Sequence, residues 1–175
     1  GVFPHITPES DVVVLRNLYD AVKPGGLVIV EARNELFALF TLNRYTYEFI
    51  LGELIRAGEL RRKAGDEAVK LEAALEGLQK FFRMDLPPVR KGKKGEPGYD
   101  EILSRMHNPL VLREQMARMG LTDLRIMFYH FHCVPPMLAG DVPQMFRRES
   151  VAMEDPNDWR GYFMASAFLI AGRRA

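Results

Sequence analysis

Lys23-Pro-Gly-Gly-Leu-Val-Ile-Val-Glu-Ala-Arg-Asn34 is the stretch around which this chain is organised. Pro24, Gly25 and Gly26 read as a helix stop followed by a tight turn. Leu27 to Val30 is an unbroken apolar run rich in β-branched residues, the pattern of a parallel strand covered on both faces. Ligands of open α/β sheets sit beyond the carboxyl ends of the strands, so Glu31, Arg33 and Asn34 are the first candidates for function.

Upstream of the turn, Thr7-Pro8-Glu9 supplies an N-cap, a proline for the first helical position and an acid for the first turn. Leu15, Leu18 and Val22 recur at helical spacing until Lys23-Pro24-Gly25 closes the helix. Downstream, Glu35 to Ala57 reads as mostly helical and aromatic, with a break at Thr41 or Asn43. A further helix is expected from about Asp66 to Arg83, burying Leu71, Leu75, Leu78 and Phe82. Residues of about 36–84 are therefore expected to form a helical insertion that covers the core rather than a membrane-surface element.

The basic loop of about 85–98 carries Pro87, Pro88, Pro97 and the cluster Arg90, Lys91, Lys93, Lys94. Its composition predicts a mobile segment, either a solvated linker or a flap that attracts an anionic substrate. Tyr99 to Met106 should be a short helix, and Asn108-Pro109 should cap another that ends at Gly120. In the strand expected next, Leu124, Ile126, Phe128, His130 and His132 share one face, opposite Met127, Tyr129 and Phe131. Pro143 to Met153 suits a short helix, and Gly161 to Ala171 a final strand.

Composition narrows the classes. The 175 residues suit one domain, and 47% apolar with 27% charged residues is a globular balance, not a disordered one. A formal net charge of +1 predicts neither nucleic acid nor membrane as a partner. The single cysteine, Cys133, excludes an intrachain disulfide and suits a reducing, cytoplasmic setting. No apolar run approaches the roughly eighteen residues of a spanning helix. The opening Gly1-Val-Phe-Pro-His5 is expected of a segment entered part-way through a longer protein.

The order of helix, Lys23-Pro-Gly-Gly26, Leu-Val-Ile-Val-Glu31, helix, Met119-Gly-Leu-Thr-Asp-Leu-Arg-Ile126 and a closing hairpin resembles the C-terminal half of a class I S-adenosylmethionine-dependent methyltransferase. That resemblance implies an α/β fold: strands five, six and seven of a Rossmann-like sheet, with the helical insertion between them. It equates those strands with Leu27–Glu31, Leu124–His132 and Gly161–Ala171, so the last strand should lie antiparallel between two parallel ones. Gly1 to Ile6 is similar to the exit from strand four. Val2, Phe3 and His5 are thereby implied to line the S-adenosylmethionine side of the pocket. The family's glycine-rich loop and ribose-holding acid have no counterpart here, because Lys23-Pro-Gly-Gly26 precedes a strand instead of following one. The chain is thus expected to be the acceptor-side half, dependent on an upstream half of the same domain or on homo-oligomerisation to cover its first strand.

Methyl transfer needs an aligned nucleophile and sometimes a base. His5 and Glu31 are the candidate bases, although His5 could equally be a surface histidine capping the next helix. Arg33, Asn34, Tyr45, His107 and Tyr162 are candidates to bind a small-molecule or sugar-like acceptor, with helix capping the alternative for Asn34 and core packing for the tyrosines. No third ligand joins His130 and His132, so no metal site is expected. The alternative function is a non-enzymatic interaction domain derived from the same fold, and a histidine-metal hydrolase is a third.

Overall fold

A computed structural model describes residues 2–84 and 103–175. The expected basic loop therefore lies outside the described residues, as does the start of the helix expected over Tyr99 to Met106. Two 3-10 turns, Phe3–His5 and Pro8–Ser10, lead into α1 (Asp11–Ala21). Strand β1 (Leu27–Asn34) is followed by α2 (Ala38–Thr41), α3 (Arg44–Phe49), a π turn at Ile50–Leu54, α4 (Ala57–Lys63) and α5 (Ala68–Gln79). Then come β2 (Met106–His107), α6 (Pro109–Arg118), β3 (Leu121–Phe131), α7 (Pro143–Ala152), α8 (Gly161–Met164) and β4 (Ala165–Arg174).

The architecture is α/β, with a mixed sheet ordered β2–β1–β4–β3. β1 pairs parallel with β2, and β4 pairs antiparallel with both β1 and β3. β1 and β3 consequently point the same way with the last strand between them, as the element order predicted.

The turn before β1 shows why it needs its glycines. Gly25 has φ +77°, a left-handed conformation open to glycine at little cost. A Cβ on Gly26 would lie 2.7 Å from the Lys23 carbonyl oxygen. The turn is sealed by the end of β4: Gly25 N–H donates to the Arg174 carbonyl at 2.7 Å, and Arg174 N–H donates to the Gly26 carbonyl at 2.9 Å. The Arg174 guanidinium lies over the Tyr19 ring, 4.7 Å from its centroid, and donates to the Val22 carbonyl at 2.8 Å, capping the carboxyl end of α1.

The core sits on one face of the sheet. Leu15 of α1, Leu112 and Met116 of α6, Val28 and Val30 of β1, Phe128 and Phe131 of β3, and Phe168 and Ile170 of β4 pack together there. Burying each large side chain contributes about 2 kcal/mol, so this cluster dominates the stability. The edge of Phe128 meets Tyr162 at 4.6 Å between centroids.

Several expectations are corrected. β1 is not covered on both faces: its residues alternate, with Leu27 48% and Ile29 53% exposed. It also runs on to Asn34 instead of ending at Glu31. Met106 closes no helix; with His107 it extends the sheet beside Arg33 and Asn34. Gly161 to Met164 is a helical turn, and the last strand begins only at Ala165. Leu75 alone of the expected α5 stripe is fully buried, while Leu71, Leu78 and Phe82 are half-buried. The helical stretch after β1 breaks at Leu42, φ +54°, where the Asn43 side chain caps α3 through Tyr45 N–H.

β3 departs furthest from regular alternation. Asp123 and His130 have φ of +51° and +57°, and the register slips between Thr122 and Arg125. A left-handed residue re-aims the side chains after it, so Phe128 and Phe131, three apart, both enter the core. Phe131 therefore does not lie opposite Phe128. His130 is exposed, while His132 is wedged between Phe37 and Phe146 at 4.7 and 5.4 Å between ring centroids.

Candidate functional site

The carboxyl ends of β1 and β2 gather a cluster of polar side chains. Arg105, just before β2, donates to both carboxylate oxygens of Asp11 at 2.8 and 2.9 Å, and to the Ile6 carbonyl at 3.1 Å. Asp11 begins α1, where a carboxylate also suits the positive end of the helix dipole. His107 Nε2 lies 3.4 Å from the same carboxylate, and its ring packs on Phe3 at 4.6 Å between centroids. His107 Nδ1 has no hydrogen-bond partner among the described residues. Burial lowers its pKa, Arg105 adding to the effect and Asp11 opposing it, so the buried imidazole is held neutral.

His5 lies at the exposed side of this cluster. Its Nδ1 is 2.6 Å from the Leu103 carbonyl oxygen. A carbonyl only accepts, so Nδ1 carries a proton and donates it, and Nε2 is the ring nitrogen left out of that bond. Glu35, the first residue after β1, is half-buried, and burial and then repulsion from Glu53 raise its pKa. The Asn108 side chain donates to it and, with Arg105, pulls the other way. The rim thus combines an oriented imidazole, a half-buried carboxyl with a raised pKa, and an arginine anchored by two bonds. Two shallow hollows on the helical segment, one lined by Glu76, Gln79, Lys80, Phe82 and Met84, share no residue with it.

Glu31 and Arg33 point elsewhere. In register, Arg33 pairs with Met106 and Asn34 with His107, so the strand-end candidates divide between the two faces of the sheet. Glu31 accepts a 2.5 Å hydrogen bond from the Tyr129 hydroxyl across β4. Burial, then the Glu31 carboxylate, raises the Tyr129 pKa, so the phenol stays protonated as a donor.

Asn34 is fully buried and committed to the backbone. Its amide nitrogen reaches the carbonyls of Gly161, Tyr162 and Ala165 at 3.1, 2.9 and 2.8 Å. Its side-chain oxygen accepts from Leu36 N–H, which is the capping role left open by the sequence. Tyr162 packs on Phe128 in the core, and Tyr45 is a half-buried residue of α3. Val2 is exposed and Phe3 buried against His107. His5 and His107 are therefore the sequence candidates that the structure brings to the rim. Asp11, Glu35 and Arg105 carry no functional signature in the sequence, because each falls within a stretch expected to be helical, where a lone charged residue reads as ordinary helix surface.

No family model, curated protein or solved structure matches this chain. No helix among the described residues is long and apolar enough to cross a membrane, and no group of three or more metal-ligating side chains occurs among them.

Proposed function

We propose that this chain is the acceptor-side half of an S-adenosylmethionine-dependent methyltransferase acting on a small-molecule or sugar-like acceptor. The observation that carries this reading is the sheet order β1–β4–β3, with the last strand antiparallel between two parallel ones, beside a polar rim at the strand ends. A purely antiparallel sheet would give no such common carboxyl end.

The described residues do not build a cradle for the cofactor. Phe3 is consumed by packing on His107, leaving Val2 and His5 as the exposed members of the implied set. The cradle is supplied by an upstream half that pairs along β1. On this side of the site His5 Nε2 accepts the proton from the acceptor hydroxyl, while Arg105, locked on Asp11, keeps the 103–107 segment beside it. The half-buried Glu35, whose pKa burial raises, adds a second titratable group near Arg105 and Asn108.

Calorimetric titration with S-adenosylmethionine tests the reading. The chain alone should give no useful binding, and extension upstream of Gly1 should restore it. In the extended protein His5→Ala should then lower kcat by about 100-fold, the usual contribution of a positioned base, while leaving cofactor affinity nearly unchanged. Tight cofactor binding by the chain alone, or full turnover after His5→Ala, would overturn it. The exposed outer side of β1, uncovered among the described residues, favours the second reading, an interaction domain of the same fold, and that reading predicts no turnover in the extended protein either.

A further inference from the structure

The face of the sheet opposite the core lacks cover along β1 among the described residues, and its chemistry specifies what fits it. Ala167 and Ala171 of β4, on either side of half-buried Leu169, form its floor, with Ile29 and Arg33 on the β1 side and Arg125 on the β3 side. Small residues along a central strand between larger neighbours make a trough into which a helix can settle closely. Arg33 and Arg125 are exposed, on opposite sides of the trough, and neither has a carboxylate partner among the described residues. Glu31, the acid on this face, already accepts from Tyr129.

We propose that this face docks an amphipathic helix of a partner polypeptide, with an apolar stripe in the alanine trough and acidic side chains on both flanks. Charge selects this occupant. A second copy of the same face would bring arginines towards arginines, whereas acids on both flanks of a helix meet Arg33 and Arg125 at once. The apolar side chains, with Ile29 53% exposed, supply the burial that a purely ionic contact lacks. The inference stands on this face alone and goes beyond the methyl-transfer reading.

Two synthetic helical peptides test it, sharing leucines at i, i+3, i+4 and i+7 but flanked by glutamates in one and lysines in the other. Fluorescence anisotropy should show the glutamate-flanked peptide binding at least about tenfold more tightly, with affinity falling as salt is raised. Its binding should slow amide exchange in β1 and β4. The double variant Arg33→Glu with Arg125→Glu should reverse the preference towards the lysine-flanked peptide, an outcome that a misfolded variant could not give. Equal affinity for both peptides, or protection confined to other elements, would overturn the proposal. Preference for anionic phosphatidylglycerol vesicles over the peptide, or a dimer that buries this face, would overturn it in favour of a membrane or a second copy.

Discussion

Arg105 and Asp11, ninety-four residues apart in the chain, form a two-pronged ion pair at 2.8 and 2.9 Å that fastens the approach to β2 onto the first residue of α1. Both side chains are largely buried, so each charge depends on the other for the solvation that water would have provided. The pair also holds His107 and the 2–6 segment in place, through the Asp11 carboxylate and the Ile6 carbonyl.

Breaking it from one side should therefore cost more than removing it altogether. Asp11→Asn or Arg105→Met alone is expected to cost roughly 3 kcal/mol, and the double variant less than the sum of the two. Urea unfolding of the two single variants and the double variant measures the coupling, and strict additivity would contradict the buried-pair account.

Asn34 gives a second test. Asn34→Ala leaves three carbonyls and the Leu36 N–H to find other partners, at about 1–3 kcal/mol. Asn34→Asp should be worse at neutral pH, because it sets a carboxylate oxygen against those carbonyls. Thermal unfolding should rank wild type above Ala and Ala above Asp, with part of the Asp deficit recovered in acid as the carboxyl protonates.

Gly161 sits so close to Phe128 that any added Cβ would overlap the ring. Gly161→Ala should cost about 1–3 kcal/mol by overpacking, although a helical turn ordinarily prefers alanine to glycine. A rise in Tm for this variant would mean that the ring can move aside.

His132 sets an acid limit on stability. Burial lowers its pKa to about 4, with exposed His130 adding to the effect. The unfolded state binds the proton first, near the ordinary histidine value of about 6.5, so stability should be full above that pH and fall through the window down to about 4. The total loss from this group is on the order of 3 kcal/mol. Stability measured against pH should show a shallower acid limb for His132→Phe, which keeps the packing between Phe37 and Phe146 and removes the titration.

Local chemistry determined much of this protein. Glycines at 25 and 26 specify the turn, the β-branched run specifies β1, Asn108-Pro109 starts α6, and the alternation of helices and strands set the parallel relation of β1 to β3. Each of these rests on contacts between near neighbours or on connection rules that hold for any such chain. Of the site, only His5 and His107 were legible; the polar residues after Val30 that the sequence offered, Glu31, Arg33 and Asn34, lie outside it. Tertiary structure decided the rest. Which face of β1 meets the core depends on α1 and α6 both packing on one side, so Asn34 became a buried clamp while Glu31 and Arg33 stayed outside. Whether Met106-His107 is helix or strand depends on a free edge of β1 to pair with, and whether Phe131 is buried depends on one left-handed residue, His130. Asp11 and Arg105 form a pair because folding closes a long loop and removes water from both charges, and no local pattern in either segment encodes that encounter.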